Sequence, residues 1–357
     1  MSALSRFIRT EFPPPSYLSM PTAGIDISTS GIKVVTLVEH SHGIELLSFG
    51  ELSLPSGTVV GGEIRDPAAV VSGLKELARK HHITVANVGL PESRGYLFEA
   101  EVEGATLEDA RVAVERKLDE HVPLPSADVT FDIALIGSSG GKSRIVGVGY
   151  AHRVVADSLA VVDEAGIAVR AAESETFALP RTLLPESADE TVLIIDIGKT
   201  TTKLLVATKR LPRYVTTLDI GGHALTQAVE KYFGVTAEEA KRVKAERGIV
   251  AGAGNEEYLA AMLSTVSVIR DEIVKRLEYW QTHAAEGSRV SRALLVGGNA
   301  TVLGLPEYLE TSMKVPVGLG DVFANFTSRD EWLPPLEYTE SLAYGTAIGL
   351  ALREYGN

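Results

Sequence analysis

Residues 24–37 read GIDISTSGIKVVTL, and residues 194–207 read IIDIGKTTTKLLVA. Each stretch has the form D-I-small-x-(S/T)-x-x-K followed by an apolar run. Asp26 aligns with Asp196, and Lys33 with Lys203. In both copies a β-branched apolar run leads into the aspartate and a second run follows the lysine. A short Gly/Ser/Thr-rich segment between two such runs predicts a β-hairpin with a polar turn. A hairpin repeated at this distance predicts two similar α/β domains facing each other. In the turns, backbone N–H groups of small residues form a nest suited to phosphate oxygens. The hydroxyls of Ser28, Thr29, Ser30, Thr200, Thr201 and Thr202 add donors. Asp26 and Asp196 stand at the two turn mouths. Two carboxylates there would need a cation between them to tolerate a polyphosphate, and magnesium held through water meets that need.

Outward from the hairpins the pattern stays α/β. Asp66-Pro67 starts a helix carrying Val70, Leu74 and Leu77 on one face. Strands are expected at 83–89, 96–103, 129–136 and 144–150, the last two joined by a GSSGG turn. Thr106 and Asp109 open a helix with Ala110, Val114 and Leu118, and another helix runs from about 153 to Gly166. Later, a helix at 223–233 stops at Gly234, and Thr236-x-x-Glu239 is a capping box. Apolar residues at helical spacing predict one long helix over 256–283. The run ALLVGGNA is a strand entering a glycine turn, where Gly297 and Gly298 let backbone approach a flat ligand. A short helix follows at 304–312, and 342–353 is a small-residue helix.

Composition narrows the function classes. The 357 residues include 47 acidic and 34 basic ones, for a formal charge of −13, which argues against general nucleic-acid binding. Cysteine is absent, so disulfides, thiolate metal sites and cysteine nucleophiles are excluded. No apolar run is long enough for a membrane span. Leu4, Phe7, Ile8 and Phe12 with Arg6 and Arg9 allow either an arm packed on its own domain or a membrane-surface anchor. The histidines show no metal-ligating spacing. GSSGGKS falls between strands and lacks the spacing of a phosphate-binding loop before a helix.

Two phosphate hairpins followed by a Gly-Gly strand end resemble the actin-like ATPase superfamily. EAGIAVRAAESETFALPRTL and SLAYGTAIGLAL resemble its two connecting helices. Within it, EHVPLPSADVTFDIAL, LDIGGHALTQAVEKYFGVTAEEAKRVK and LLVGGNATVLGLPEYL are similar to the PilM family of type IV pilus assembly, a relative of the division protein FtsA. The resemblance spans residues 22–355. It implies an α/β actin-like ATPase fold of duplicated ribonuclease-H-like domains in two lobes with small inserted subdomains. The expected division is an N-terminal arm 1–21; a first lobe of 22–90 and 151–185; an inserted partner-binding subdomain 91–150; a second lobe of 186–222 and 290–357; and its helical subdomain 223–289.

By the same resemblance, ATP or ADP with Mg²⁺ would lie between the lobes, with Asp26 and Asp196 flanking the metal. Ser28, Thr29, Ser30, Lys33, Gly198, Lys199, Thr200 and Thr201 would hold phosphates. Gly297, Gly298 and Asn299 would abut adenosine. Glu272, Lys275 and Arg276 would approach base and ribose, and Gly221 and Gly222 would pass near the nucleotide. Glu175 would position water, with Glu173 as the fallback. Ser28 replaces the glycine usual in the first turn, which predicts strain if that turn needs positive φ. The implied role is a cytoplasmic scaffold at the inner face of the membrane with slow or no hydrolysis. Its implied partner is the N-terminal cytoplasmic tail of a single-pass inner-membrane pilus assembly protein (PilN-like), through which it would reach the membrane. Self-association stays open, as do an FtsA-like filament former and a sugar-kinase-like phosphotransferase. FtsA-type chains end in an amphipathic membrane helix, whereas this sequence ends ALREYGN.

Overall fold

A computed structural model of the protein describes residues 21–250, 255–284 and 288–355. The expected N-terminal arm, apart from Pro21, lies outside the described residues.

The first hairpin forms as the repeat demands. β1 (Ala23–Ser28) pairs antiparallel with β2 (Gly31–His40), placing Asp26 directly opposite Lys33. β3 (Gly43–Ser53) continues the meander, and β4 (Val59–Val60) pairs with β5 (Glu63–Ile64). α1 (Pro67–His81) starts where Asp66 accepts the Ala69 N–H at 3.1 Å, and it buries Val70, Leu74 and Leu77. It returns the chain to β6 (Val85–Leu90), parallel to β1.

An insertion follows, built of β7 (Gly95–Glu103), α2 (Leu107–Glu115), α3 (Leu118–His121), β8 (Val129–Ser139) and β9 (Lys142–Ala151). Its sheet has the order β7-β9-β8, and its own core includes Phe98, Val114, Leu118, Val122 and Ile145. The single helix expected from Ala110 to Leu118 is broken at Arg116-Lys117. The break lets Leu118 and Val122 both reach that core. Then α4 (His152–Glu164) leads to β10 (Ala168–Ser174) and α5 (Glu175–Leu183).

The second hairpin repeats the first. β11 (Thr191–Ile197) and β12 (Thr202–Thr208) pair antiparallel with Asp196 opposite Lys203, and β13 (Leu211–Leu218) follows. Three helices come next. α6 (Gly222–Phe233) ends at Gly234 in the left-handed conformation, and α7 (Ala237–Arg247) opens on the Thr236–Glu239 capping box. α8 (Glu256–His283) buries Met262, Val266, Ile269, Ile273 and Leu277 along one stripe. β14 (Arg292–Val296), α9 (Leu305–Met313), β15 (Val317–Leu319), α10 (Tyr338–Ser341) and α11 (Gly345–Leu352) complete the described chain.

The two five-stranded sheets share one topology. The orders β3-β2-β1-β6-β10 and β13-β12-β11-β14-β15 correspond strand for strand. In each, the three-strand meander is antiparallel and the two outer additions are parallel. The sequence repeat is therefore the visible part of a domain duplication.

Two helices knit the halves together. α5 and α11 meet at backbone distance, because a Cβ on Gly349 would lie 2.0 Å from the Ala178 carbonyl oxygen. On its other side α11 rests on β1, where a Cβ on Gly24 would lie 1.9 Å from the Ala347 carbonyl oxygen. Only glycine permits such approaches. Thr182 Oγ1 donates to the Gly345 carbonyl at 2.7 Å, and Asn87 Nδ2 donates to that of Leu350 at 2.9 Å. The helix expected over 342–353 begins with a 3₁₀ turn at 342–344, where the Leu342 carbonyl accepts the Gly297 N–H at 3.0 Å.

Candidate functional site

The two hairpin turns, the end of β14 and the start of α11 converge on one cleft of about 530 Å³. The repeat explains the convergence, since each sheet presents its first turn toward the other. Across the cleft mouth Thr29 Oγ1 and Thr200 Oγ1 lie 3.1 Å apart. Ser28, Thr29, Ser30, Lys33, Gly198, Lys199 and Thr201 line the cleft, as do Asp26, Asp196, Gly297, Gly298 and Asn299.

The expected strain at Ser28 does not exist. Ser28 is the last residue of β1, and Gly31 takes the left-handed position with φ +151°. The Ser28 hydroxyl donates to the Gly31 carbonyl at 3.2 Å and lies 2.9 Å from Ser30 Oγ. The turn is tied by its own hydroxyls, so the serine costs it no backbone energy.

The second turn is braced from the helical side. The Gly222 N–H donates to the Gly198 carbonyl at 3.0 Å, and the His223 N–H to that of Lys199 at 2.8 Å. Asn299 Nδ2 also donates to the Gly198 carbonyl, at 3.0 Å, while its Oδ1 accepts from Lys244 Nζ at 2.9 Å. Lys244 donates further to Thr226 Oγ1 at 3.1 Å and to the Gly222 carbonyl at 3.2 Å. Its burial, reinforced by nearby Lys241, pushes the ammonium down to about 8. Gly297 has φ +90°, and a Cβ there would come within 2.3 Å of Asp196 Oδ1. Backbone N–H groups, hydroxyls, the lysines Lys33, Lys199 and Lys203, and a glycine strand end suit a phosphorylated ligand.

Glu175, Thr200, Gly221, Gly222, Glu272, Lys275 and Arg276 are not on the cleft wall. Gly221 and Gly222 pack beneath the second turn, and a Cβ on Gly221 would lie 2.7 Å from the Thr201 nitrogen. On α8, Glu272 pairs with Lys275 at 3.8 Å and with Arg276 at 3.5 Å. The fallback Glu173 is held by Arg181 at 2.7 Å and Arg353 at 2.7 Å, so its carboxylate is structural.

Glu175 opens α5 and lies behind the cleft with both carboxylate oxygens engaged. One accepts the Glu92 N–H at 2.6 Å, and the other pairs with Lys203 Nζ. Lys203 Nζ also lies 3.8 Å from Asp196 Oδ2. Burial opposes the Lys203 charge, but Glu175, Asp196 and Asp26 outweigh it and hold the ammonium protonated well above the ordinary lysine range. Asp26 is pushed up to about 6, first by desolvation and then by Glu175. Asp196 is raised mainly by desolvation. Glu92 is raised by desolvation although Thr217 Oγ1 donates to it. Among the described residues, no group of three or more His, Asp or Glu side chains is arranged to hold a metal ion.

Sequence reasoning missed three residues here. Lys203 carried a signal, as the second lysine of the repeat. Lys244 lay in a quoted helix without a role. Glu92 carried none, because its partner Thr217 is 125 positions away.

Comparison with known proteins supports the fold and names the family. A solved structure described as the "PilM-PilN type IV pilus biogenesis complex" is similar over 94% of this chain and 99% of that chain, with TM-score 0.79 and 21% identity. The ethanolamine utilization protein EutJ from Carboxydothermus hydrogenoformans is similar with TM-score 0.55 and 17% identity, over 96% of this chain and 90% of its own. MreB5 of Spiroplasma citri bound to ADP is similar with TM-score 0.55 and 13% identity, over 95% of this chain and 99% of its own. These are actin-like ATPase folds, and this protein shares that fold. The family described as "Type IV pilus assembly protein PilM" matches residues 24–355. Sharing the fold and matched by that family over residues 24–355, the chain belongs to the PilM family of type IV pilus assembly proteins.

Proposed function

We propose that the protein is a nucleotide-binding scaffold at the inner face of the cytoplasmic membrane, within the type IV pilus (or related secretion) assembly platform. The observation that carries this reading is the convergence of two duplicated hairpin turns and the Gly297-Gly298 strand end on one cleft. ATP or ADP is the ligand that suits it. Titration calorimetry with each nucleotide is expected to give saturable one-to-one binding. Flat titrations with both would remove the basis of the reading.

Turnover is expected to be slow. A general base needs a free oxygen within reach of water. Each Glu175 oxygen already accepts one hydrogen bond, from the Glu92 N–H and from Lys203, and the carboxylate lies off the cleft wall. Phosphate release is therefore expected below about 0.1 per second, against an enzyme median of about 10 per second. A rate near that median would mean that Glu175 is released in the bound state or that another group serves as base.

The partner we propose is the N-terminal cytoplasmic tail of a single-pass inner-membrane protein of the PilN kind. Support comes from family membership and from the complex named for the similar structure. No helix among the described residues is long and apolar enough to cross a membrane, so such a partner would supply the attachment. The insertion beside the first lobe is the proposed receptor. An extended tail would bind there through backbone hydrogen bonds and side-chain pockets. The insertion has its own core, which makes an excised form a reasonable variant to build. Gly95 faces Tyr150 across the β7–β9 ladder, so a short glycine linker can replace residues 96–149. The intact protein is expected to retain an immobilised tail peptide, and the folded excised form to lose it. Equal retention by both would exclude the insertion as receptor.

A further inference from the structure

We propose that Lys244, on the buried face of α7 and off the cleft wall, is a positioning residue for nucleotide binding: it fixes the Asn299 amide, and through that amide the second hairpin turn offers the Lys199 N–H to a phosphate oxygen. The inference rests on the nucleotide reading above and assigns a further residue to that same site.

The sequence sets the position. The Thr236–Glu239 capping box starts α7, a helix of mostly charged residues. Ala240 and Lys244, one turn apart, are its buried pair. Lysine is almost never fully buried unless paired. Lys244 is 8% exposed, and among the described residues no carboxylate forms an ion pair with it. Its donors go to neutral oxygens instead: Asn299 Oδ1 at 2.9 Å, Thr226 Oγ1 at 3.1 Å and the Gly222 carbonyl at 3.2 Å. A methionine or leucine would fill this position without the cost of burying a charge. What the lysine adds is its donors.

Those donors decide which way Asn299 faces. An ammonium only donates and a carbonyl only accepts. One orientation of the Asn299 amide satisfies both neighbours, with Oδ1 toward Lys244 and Nδ2 toward the Gly198 carbonyl at 3.0 Å. The amide is wedged against the start of α6, where a Cβ on Gly222 would lie 1.9 Å from Asn299 Oδ1. The Gly198 carbonyl thus accepts from Asn299 and from the Gly222 N–H together. In a trans peptide the C=O and the next N–H point in opposite directions. Holding that carbonyl against Asn299 and α6 therefore turns the Lys199 N–H away from them, and it has no partner among the described residues. Gly198 and Lys199 line the cleft, whereas Gly222 packs beneath the turn. The donor is left for the ligand. Without Lys244 the amide keeps one anchor of its two, and the Gly198–Lys199 peptide is less firmly set.

The test is a double-mutant cycle on the full chain with Lys244→Met, Asn299→Ala and the pair. Each is read twice, as affinity for fluorescent mant-ADP by anisotropy in magnesium and as the urea midpoint. Each single variant is expected to bind about fivefold more weakly or worse, the loss of one hydrogen bond. The pair is expected to bind no more than about twofold worse than Asn299→Ala alone, because the lysine acts through that amide. A lysine that only packs would lower the urea midpoint and leave the affinity of the folded protein unchanged. Wild-type affinity in either folded single variant overturns the inference while the nucleotide reading stands, and so do losses that multiply in the pair. Absence of mant-ADP binding by the wild type itself fails the nucleotide reading and this inference together. Should Lys244→Met not fold, Lys244→Gln takes its place in the cycle with the same expected outcomes, since its side chain is one atom shorter and stops short of Asn299 while keeping the buried position polar.

Discussion

Gly349→Ala is expected to destabilise the protein strongly. Two effects oppose each other. Alanine improves intrinsic helix propensity by about 1 kcal/mol. Against that, the new methyl would sit 2.0 Å from the Ala178 carbonyl oxygen and 2.5 Å from its carbon. Overpacking at a rigid site costs about 3 kcal/mol or more, and here the obstacle is backbone, which no rotamer change can move aside. The net loss is expected to reach at least about 2 kcal/mol, read as a lower urea midpoint at unchanged slope. Gly137→Ala is the matched control, because a Cβ there meets nothing within 4 Å. If Gly349→Ala and Gly137→Ala melt together, the contact between α5 and α11 is looser than described.

The second large effect is expected from Lys203→Met, read as stability against pH. Removing one partner of a buried pair costs about 3–5 kcal/mol when the remaining charge is left alone. Partial solvent access to the cleft brings the expectation down to about 2–3 kcal/mol at pH 8. The sign follows from linkage. In the wild type the folded-state pKa of Lys203 is raised, so its contribution is fully present below the ordinary lysine pKa and is lost only as pH rises through the folded value. It is therefore constant between pH 5 and 8. In the variant, the carboxylates of Asp196 and Asp26 lose a cation that favoured their charged form and bind protons more tightly in the folded state. A folded state that binds more protons than the unfolded one gains stability as pH falls. The deficit is expected to shrink from pH 8 toward pH 5. A deficit independent of pH would assign Lys203 a packing role instead.

The elements readable from sequence were those set by local chemistry. The hairpins announced themselves by alternation and a polar turn, and the long helix by its apolar stripe from Leu259 to Trp280. The Thr236–Glu239 capping box is a four-residue signal and formed as written. The cleft itself was readable because the fold was duplicated, so that two weak turns reinforced each other. What escaped depended on distant partners. Lys203 meets Glu175 only after β11 and β12 have formed against the other lobe. The strain raised for Ser28 is absent because Ser28 still belongs to the strand and Gly31 takes the positive φ. The split of the helix after Thr106 reflects the insertion's own core, which no propensity of Arg116 or Lys117 encodes. The surroundings of Glu175 escaped for the same reason. Its sequence position suits a water-positioning group, and the structure adds partners no local signal gives, the Glu92 N–H and Lys203.

The approach of α11 to β1 also bears on how the chain can fold while it is being made. Gly24 and Ala347 touch at backbone distance, yet 323 positions separate them in the sequence. At about 5–20 residues per second, ribosomal synthesis takes roughly 16–65 s to pass from one to the other. Throughout that interval the central strand of the first sheet lacks the helix that later covers it, and Leu350 and Leu352 are not yet available to its neighbours. A nascent chain in this state carries an apolar face and must be kept from sticking to others. The cleft, whose wall includes Gly345 and Thr346 at the start of α11, is incomplete until that helix docks.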